Sequence, residues 1–194
     1  MRLRLIPAIV LVVTSSGVAA APALGASASD RTAFAQYVSS ASWPVRAASL
    51  RINTASSRIS DWLAMGDPPY LGEIAGACRN VLALAGDRRG SLAQLRAPAR
   101  LETPHLRLVR AYEKVRAGCA HARALTIRAR DAVNTEPIDS EKTRLASARA
   151  RRYVRLFLPV LQSFSHTVVG WRTAVLGYAS TLGVKPPAWV AQLG

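Results

Sequence analysis

The sequence predicts an all-α fold, an antiparallel four-helix bundle with left-handed, heptad-like seams. Three observations carry that expectation. Apolar residues recur at alternating spacings of three and four along four long segments. No run alternates apolar and polar residues with period two between turn signals. The only two cysteines, Cys78 and Cys119, fall on neighbouring apolar seams, at positions that a helical hairpin brings face to face.

Composition agrees. Of 194 residues, 35 are Ala and 23 are Arg, against three Lys. Ala and Arg are both good helix formers. Mean hydropathy of +0.13 excludes a multi-span membrane protein. Two cysteines are too few for a small disulfide scaffold. Lys and Arg number 26 against 11 Asp and Glu, a formal net charge of +15.

The first 28 residues read as a secretory signal peptide. Arg2 and Arg4 precede an apolar stretch, Leu5 to Val13, and small residues follow up to Ala26-Ser27-Ala28. Cleavage is expected after Ala28, with Ala20 or Ala26 as alternatives. The protein is therefore expected outside the cytoplasm, secreted or in the cell envelope, where disulfides persist. The bundle is expected over 29–183, and a Pro-containing tail over 184–194.

The first helical segment has the seam Phe34, Val38, Ala41, Val45, Ala48, Ile52, Ala55, Ile59 and Trp62. Asp30 is its expected N-cap, and Pro44 predicts a kink or restart. Gly66-Asp67-Pro68-Pro69 ends it. The second runs from about Pro69 to Leu95 along Leu71, Ile74, Cys78, Val81 and Ala85, with Gly86 and Gly90 weakening its far end. The third is expected to open at Thr103-Pro104, a cap followed by Pro in the first turn. It runs along His105, Leu108, Tyr112, Val115, Cys119, Ala122, Thr126, Ala129 and Val133. The fourth starts near Asp139, bends at Pro159 and stops at Gly183. Its seam is Val154, Phe157, Leu161, Phe164, Val168, Trp171, Val175, Tyr178 and Leu182. The tail is expected to fold back as an irregular strap.

In an antiparallel hairpin, facing residues have a constant index sum. For Cys78 and Cys119 the mirror point falls in the Arg96–Ala99 turn, which Pro98 marks independently. One structural disulfide between the second and third helices is the expectation. Its loop would stabilise the fold by roughly 2–4 kcal/mol. The order Cys78, then L-x-x-L-x-A-P over Leu92–Pro98, then His105, Tyr112 and Cys119 resembles exported proteins of GC-rich bacteria. That resemblance implies export and brings no activity with it.

Catalytic templates are missing. There is no G-x-S-x-G, P-loop, G-x-G-x-x-G, H-E-x-x-H or C-x-x-C. One E-x-x-H, Glu102 to His105, falls short of the two that a di-iron bundle needs. His105, His121 and His166 fall on different faces and do not converge on a metal. Glu73, Glu113 and Asp131 sit among arginines as surface pairs. The expectation is a non-enzymatic protein without metal or cofactor.

Charge is the remaining signal. Residues 96–155 hold 15 Lys and Arg against six acids. Arg107 and Arg110 on the third helix, with Arg144, Arg149, Arg151, Arg152 and Arg155 on the fourth, all lie off the seams. They are the candidate anion-binding residues. Expected partners are anionic lipid or a cell-wall polyanion. Nucleic acid fits less well, because only Tyr153 lies among these arginines. The alternative is an envelope module that docks a protein partner, with the charge incidental.

Overall fold

The computed structural model describes residues 27–65, 70–84, 91–135 and 140–193. The expected leader, apart from its last two residues, lies outside them, as do Ala85, Gly86 and Gly90 of the second segment and Asp139 of the fourth. Four long helices pack against one another: α1 (Ala28–Met65), α2 (Tyr70–Ala83), α3 (Ala99–Val133) and α4 (Ser140–Leu182). A 3-10 turn, Leu92–Gln94, precedes α3, and a single helical turn, α5 (Ala188–Ala191), follows α4. No strand occurs among the described residues.

The seams predict the core closely. All nine expected positions of α1 are buried, as are Leu71, Ile74, Cys78 and Val81 of α2. On α3 the seam is buried from His105 to Ala129, and Val133 is half-buried. On α4 it is buried from Val154 to Val175, and there the register drifts. Ala179 replaces Tyr178 as the buried residue before Leu182. A straight helix slips steadily against a 3.5-residue repeat. The displaced Tyr178 ring packs edge-on against Phe34 of α1 instead.

Neighbouring helices run antiparallel. Arg51 and Arg58 of α1 meet Asn80 and Glu73 of α2. Tyr112 and Cys119 of α3 meet Val81 and Cys78 of α2. Thr143 and Tyr153 of α4 reach Ala132 and Gly118 of α3. Asn53 and Arg31 of α1 meet Ser165 and Leu182 of α4. In each pair the residue number falls on one helix as it rises on the other.

Helix length divides the bundle into two halves. With 14 residues, α2 spans roughly 21 Å, whereas the 43 residues of α4 span roughly 65 Å. Only one half therefore has four helices. It comprises α2, the second half of α1, and the α3–α4 hairpin from about Lys114 to Ser163. In the other half α1, α3 and α4 pack as three. There Tyr37 of α1 touches His105 of α3 directly. Leu92 of the 3-10 turn and Val190 and Leu193 of the tail complete that core.

Several boundaries differ from expectation. The N-cap of α1 is Ser27, not Asp30. The Asp30 N–H donates to Ser27 Oγ at 3.0 Å, and the Ser27 N–H donates to the Asp30 carboxylate at 3.2 Å. This is a capping box with Asp at the third position. Pro44 lies buried inside one continuous helix, so it does not restart α1. Helix α2 ends at Ala83, well short of Leu95. Helix α3 starts at Ala99, ahead of Thr103, and holds Pro104 inside it. The earlier start buries Leu101, at the cost of the one backbone bond that Pro104 cannot donate to Arg100 O. Helix α4 ends as expected, with Gly183 at φ 64° and Val184 N–H donating to Ala179 O at 3.0 Å. The tail is more ordered than an irregular strap. Trp189 stacks on Trp171, and Arg172 donates to the Leu193 carbonyl.

Candidate anion-binding face

The arginines divide into two structural kinds. One kind ties off helix ends. Arg31 donates to Leu182 O at the end of α4, Arg51 to Asn80 O in the last turn of α2, and Arg151 to Leu63 O in the last turn of α1. The last turn of a helix leaves carbonyls without intrahelical donors and carries the negative end of the dipole. A guanidinium satisfies both needs at once. Arg151, one of the seven candidates, is therefore part-buried and committed to α1. Its Nε is buried without a hydrogen-bond partner.

The other kind stands in solvent. Arg107, Arg110, Arg144, Arg149, Arg152 and Arg155 are exposed, and none pairs with another described residue. The fold does not gather all six. Tyr153 faces Gly118 and Thr143 faces Ala132, which places Arg144 to Arg155 beside residues 119–131 of α3. Arg107 and Arg110 lie further along, near residues 164–168 of α4. From Arg110 to the level of Arg152 is about 9 residues, roughly 14 Å along the helix. The basic face is thus the four-helix half, with Arg144, Arg149, Arg152 and Arg155 joined by Arg128 of α3, which shares a cleft with Arg149. Arg107 lines a separate cleft of 390 Å³ with His166, Thr167 and Trp171.

At the end of the basic face is a cleft of 640 Å³ between α3 and α4. Arg128, Lys142 and Arg149 line it together with Asp131 and Glu141. Asp131 is tied to Arg130 at 2.8 Å. Acids are unevenly placed beyond it. None occurs from Lys142 to Gly194, nor from Arg31 to Ser60.

The surface ion pairs differ from local expectation. Glu113 pairs with Arg116 three residues on, but Glu73 reaches across to Arg58 of α1 at 3.0 Å. All three such pairs are about half exposed and contribute little to stability.

Two buried groups lie inside, one in each half. Cys78 and Cys119 meet in the four-helix half, wholly buried and 3.2 Å apart. They are unbonded thiols here, so the expected disulfide is not formed in this structure. A bond needs about 2.05 Å between sulfurs. The hydrogen bond with Cys78, and then burial, push the Cys119 thiol well above its usual range. Neither sulfur is set up as a nucleophile.

The three-helix half holds a polar chain that sequence reading missed. Trp171 Nε1–H donates to Tyr37 Oη at 2.8 Å, and Tyr37 Oη lies 3.1 Å from His105 Nδ1. With Trp171 as donor, the phenol proton is free to go to the imidazole. Burial lowers the His105 pKa and raises that of Tyr37 to about 12. His105 and Trp171 are expected seam positions, and Tyr37 is not among them. No spacing rule links side chains from three helices. Among the described residues, no group of three or more His, Cys, Asp or Glu could hold a metal ion. No described helix is long and apolar enough to cross a membrane.

Comparison with protein-family models, with curated proteins and with solved structures gave no match for this chain.

Proposed function

We propose that this is an exported, non-enzymatic bundle that binds an anionic surface or polymer through the basic face of its four-helix half. One observation carries the reading. Arg144, Arg149, Arg152 and Arg155 are exposed without a partner among the described residues, on a helix whose own sequence has no acid after Glu141. Arginines made abundant by composition alone have no reason to exclude carboxylates from the same stretch. An anionic ligand supplies that reason, because each nearby carboxylate would weaken its field.

Export supports the cysteine reading. In an oxidising compartment the buried pair closes to a disulfide, joining α2 to α3 across an interface that is already packed. The capping box favours cleavage after Ala26. That cut keeps Ser27 and its bonds to Asp30, whereas a cut after Ala28 removes the cap of α1.

The test is retention on immobilised heparin at rising salt, for the wild type and for a quadruple Gln variant at Arg144, Arg149, Arg152 and Arg155. The wild type should elute late with a steep salt dependence, and the variant should elute early with an unchanged Tm. Equal elution of the two proteins refutes the assignment. Saturable binding to one envelope protein at high salt would favour the docking alternative.

A further inference from the structure

The outward corner of α1 is built differently from the basic face. Of the large apolar side chains left in solvent, Trp43 is 52% exposed and Leu50 is 70% exposed. They are seven residues apart and so share one face of α1. A cleft of 620 Å³ runs between them, lined also by Ser39, Arg46, Arg51 and Leu193 of the tail. It continues past Ser39 and Ser42 into a second cleft of 420 Å³ between α1 and the tail. Arg31, Phe34, Val38, Lys185 and Trp189 line this second cleft. Four cations border the two clefts, and no acid does. Arg46 and Lys185 are exposed and unpaired among the described residues.

We infer that this corner is where the protein docks on a bilayer of anionic phospholipid, with α1 lying along the surface. This goes beyond the proposed function, because it places a second anionic contact on a different part of the molecule from Arg144–Arg155. An indole and a leucine at the tip suit the depth at which headgroups give way to acyl chains. The Arg46 guanidinium and the Lys185 ammonium reach the lipid phosphates, while Arg31 and Arg51 stay on the helix ends they cap. A second copy of this chain is a poor occupant, because a two-fold contact would set Arg46, Arg51 and Lys185 against themselves. A peptide or protein needs donors and acceptors in register with its own, and a bilayer does not. The exposed elements here are two apolar side chains and charge of one sign.

Trp43 is its own reporter. Trp62 and Trp171 are buried, and Trp189 is part-buried against Trp171, so the solvent-exposed emission belongs to Trp43. The full chain is mixed with vesicles of phosphatidylglycerol and phosphatidylcholine, or of phosphatidylcholine alone. Emission, acrylamide quenching and co-sedimentation are read together. The variants are Trp43→Phe and Leu50→Asp. Every protein carries the same N-terminal residues, so their contribution cancels in the comparison, and Tm checks each fold. The expected result is a blue shift and protection from acrylamide on anionic vesicles only, both missing in Trp43→Phe. Leu50→Asp should weaken co-sedimentation on the order of tenfold or more.

Pelleting with anionic vesicles while Trp43 stays open to acrylamide would overturn the inference and leave the basic face as the contact. Heparin retention without vesicle binding would overturn it too, leaving a polymer binder. Failure on both matrices removes the proposed function as well.

Discussion

The two halves of the bundle solve one packing problem in different ways. Where α2 is present, four helices close a core whose polar groups are served locally or by one neighbour: two facing thiols, the Tyr112 phenol on Val81 O at 3.2 Å, and Thr126, whose hydroxyl bonds back to Ala122 O at 2.9 Å. Where α2 has ended, three helices leave a gap. The chain fills it with a 3-10 turn, a folded-back tail and larger side chains that carry polar atoms, namely Tyr37, His105 and Trp171. A buried polar group is tolerated only when its partners are in place. The three-helix half therefore depends on a fixed geometry, and the four-helix half depends on close approach. Of the two candidate binding surfaces, the basic face lies on the four-helix half, and the Trp43 corner straddles the boundary, since Arg51 there reaches Asn80 of α2.

The largest expected effect sharpens that contrast. Trp171→Ala removes the biggest fully buried side chain, the donor to Tyr37 and the platform under Trp189. It should cost about 3–5 kcal/mol in denaturant unfolding. A cost below about 1 kcal/mol would mean that the polar chain and tail are not holding this half together.

Next comes the four-helix half. The Phe157 ring lies against Gly118, where a Cβ would collide with it. Gly118→Ala should destabilise by about 1–3 kcal/mol even though Ala is the better helix former. A more stable variant would show that α3 and α4 are further apart than the structure has them.

The smallest effect is a pH slope. Burial lowers the folded-state pKa of His105, so the unfolded chain takes up its proton first as pH falls. The unfolded state then binds more protons, and stability declines below about pH 6.5. His105→Asn keeps an acceptor near the Nδ1 position and does not titrate. Its Tm should fall less than that of the wild type between pH 7.5 and 5. Parallel curves for the two proteins would place the slope elsewhere.

Much of the fold was legible because heptad spacing is a local property. Phe34 to Trp62 could be read as one buried stripe without reference to any other helix. Index arithmetic also placed Cys78 opposite Cys119, although the connection from Ala83 to Ala99 is much longer than the Arg96–Ala99 turn it assumed. What stayed hidden depended on several helices at once. The early start of α3 at Ala99 is favoured by burial of Leu101, which outweighs the Pro104 signal. The division of the arginines depends on where other helices stop. Arg151 sits in the densest basic run of the sequence, yet the end of α1 claims it. Arg107 and Arg110 share a charge cluster with Arg152 in sequence and lie far from it along the bundle.

The central claim is that the halves are held separately, and region-resolved hydrogen exchange tests it most directly. Exchange is compared between the purified chain in its oxidised and reduced states, with the state of Cys78 and Cys119 verified by mass. Oxidation should slow exchange in α2 and in α3 around Cys119, and leave α1 from Phe34 to Ala47 nearly unchanged. Equal slowing across the whole chain would contradict the division and make the bundle a single cooperative unit.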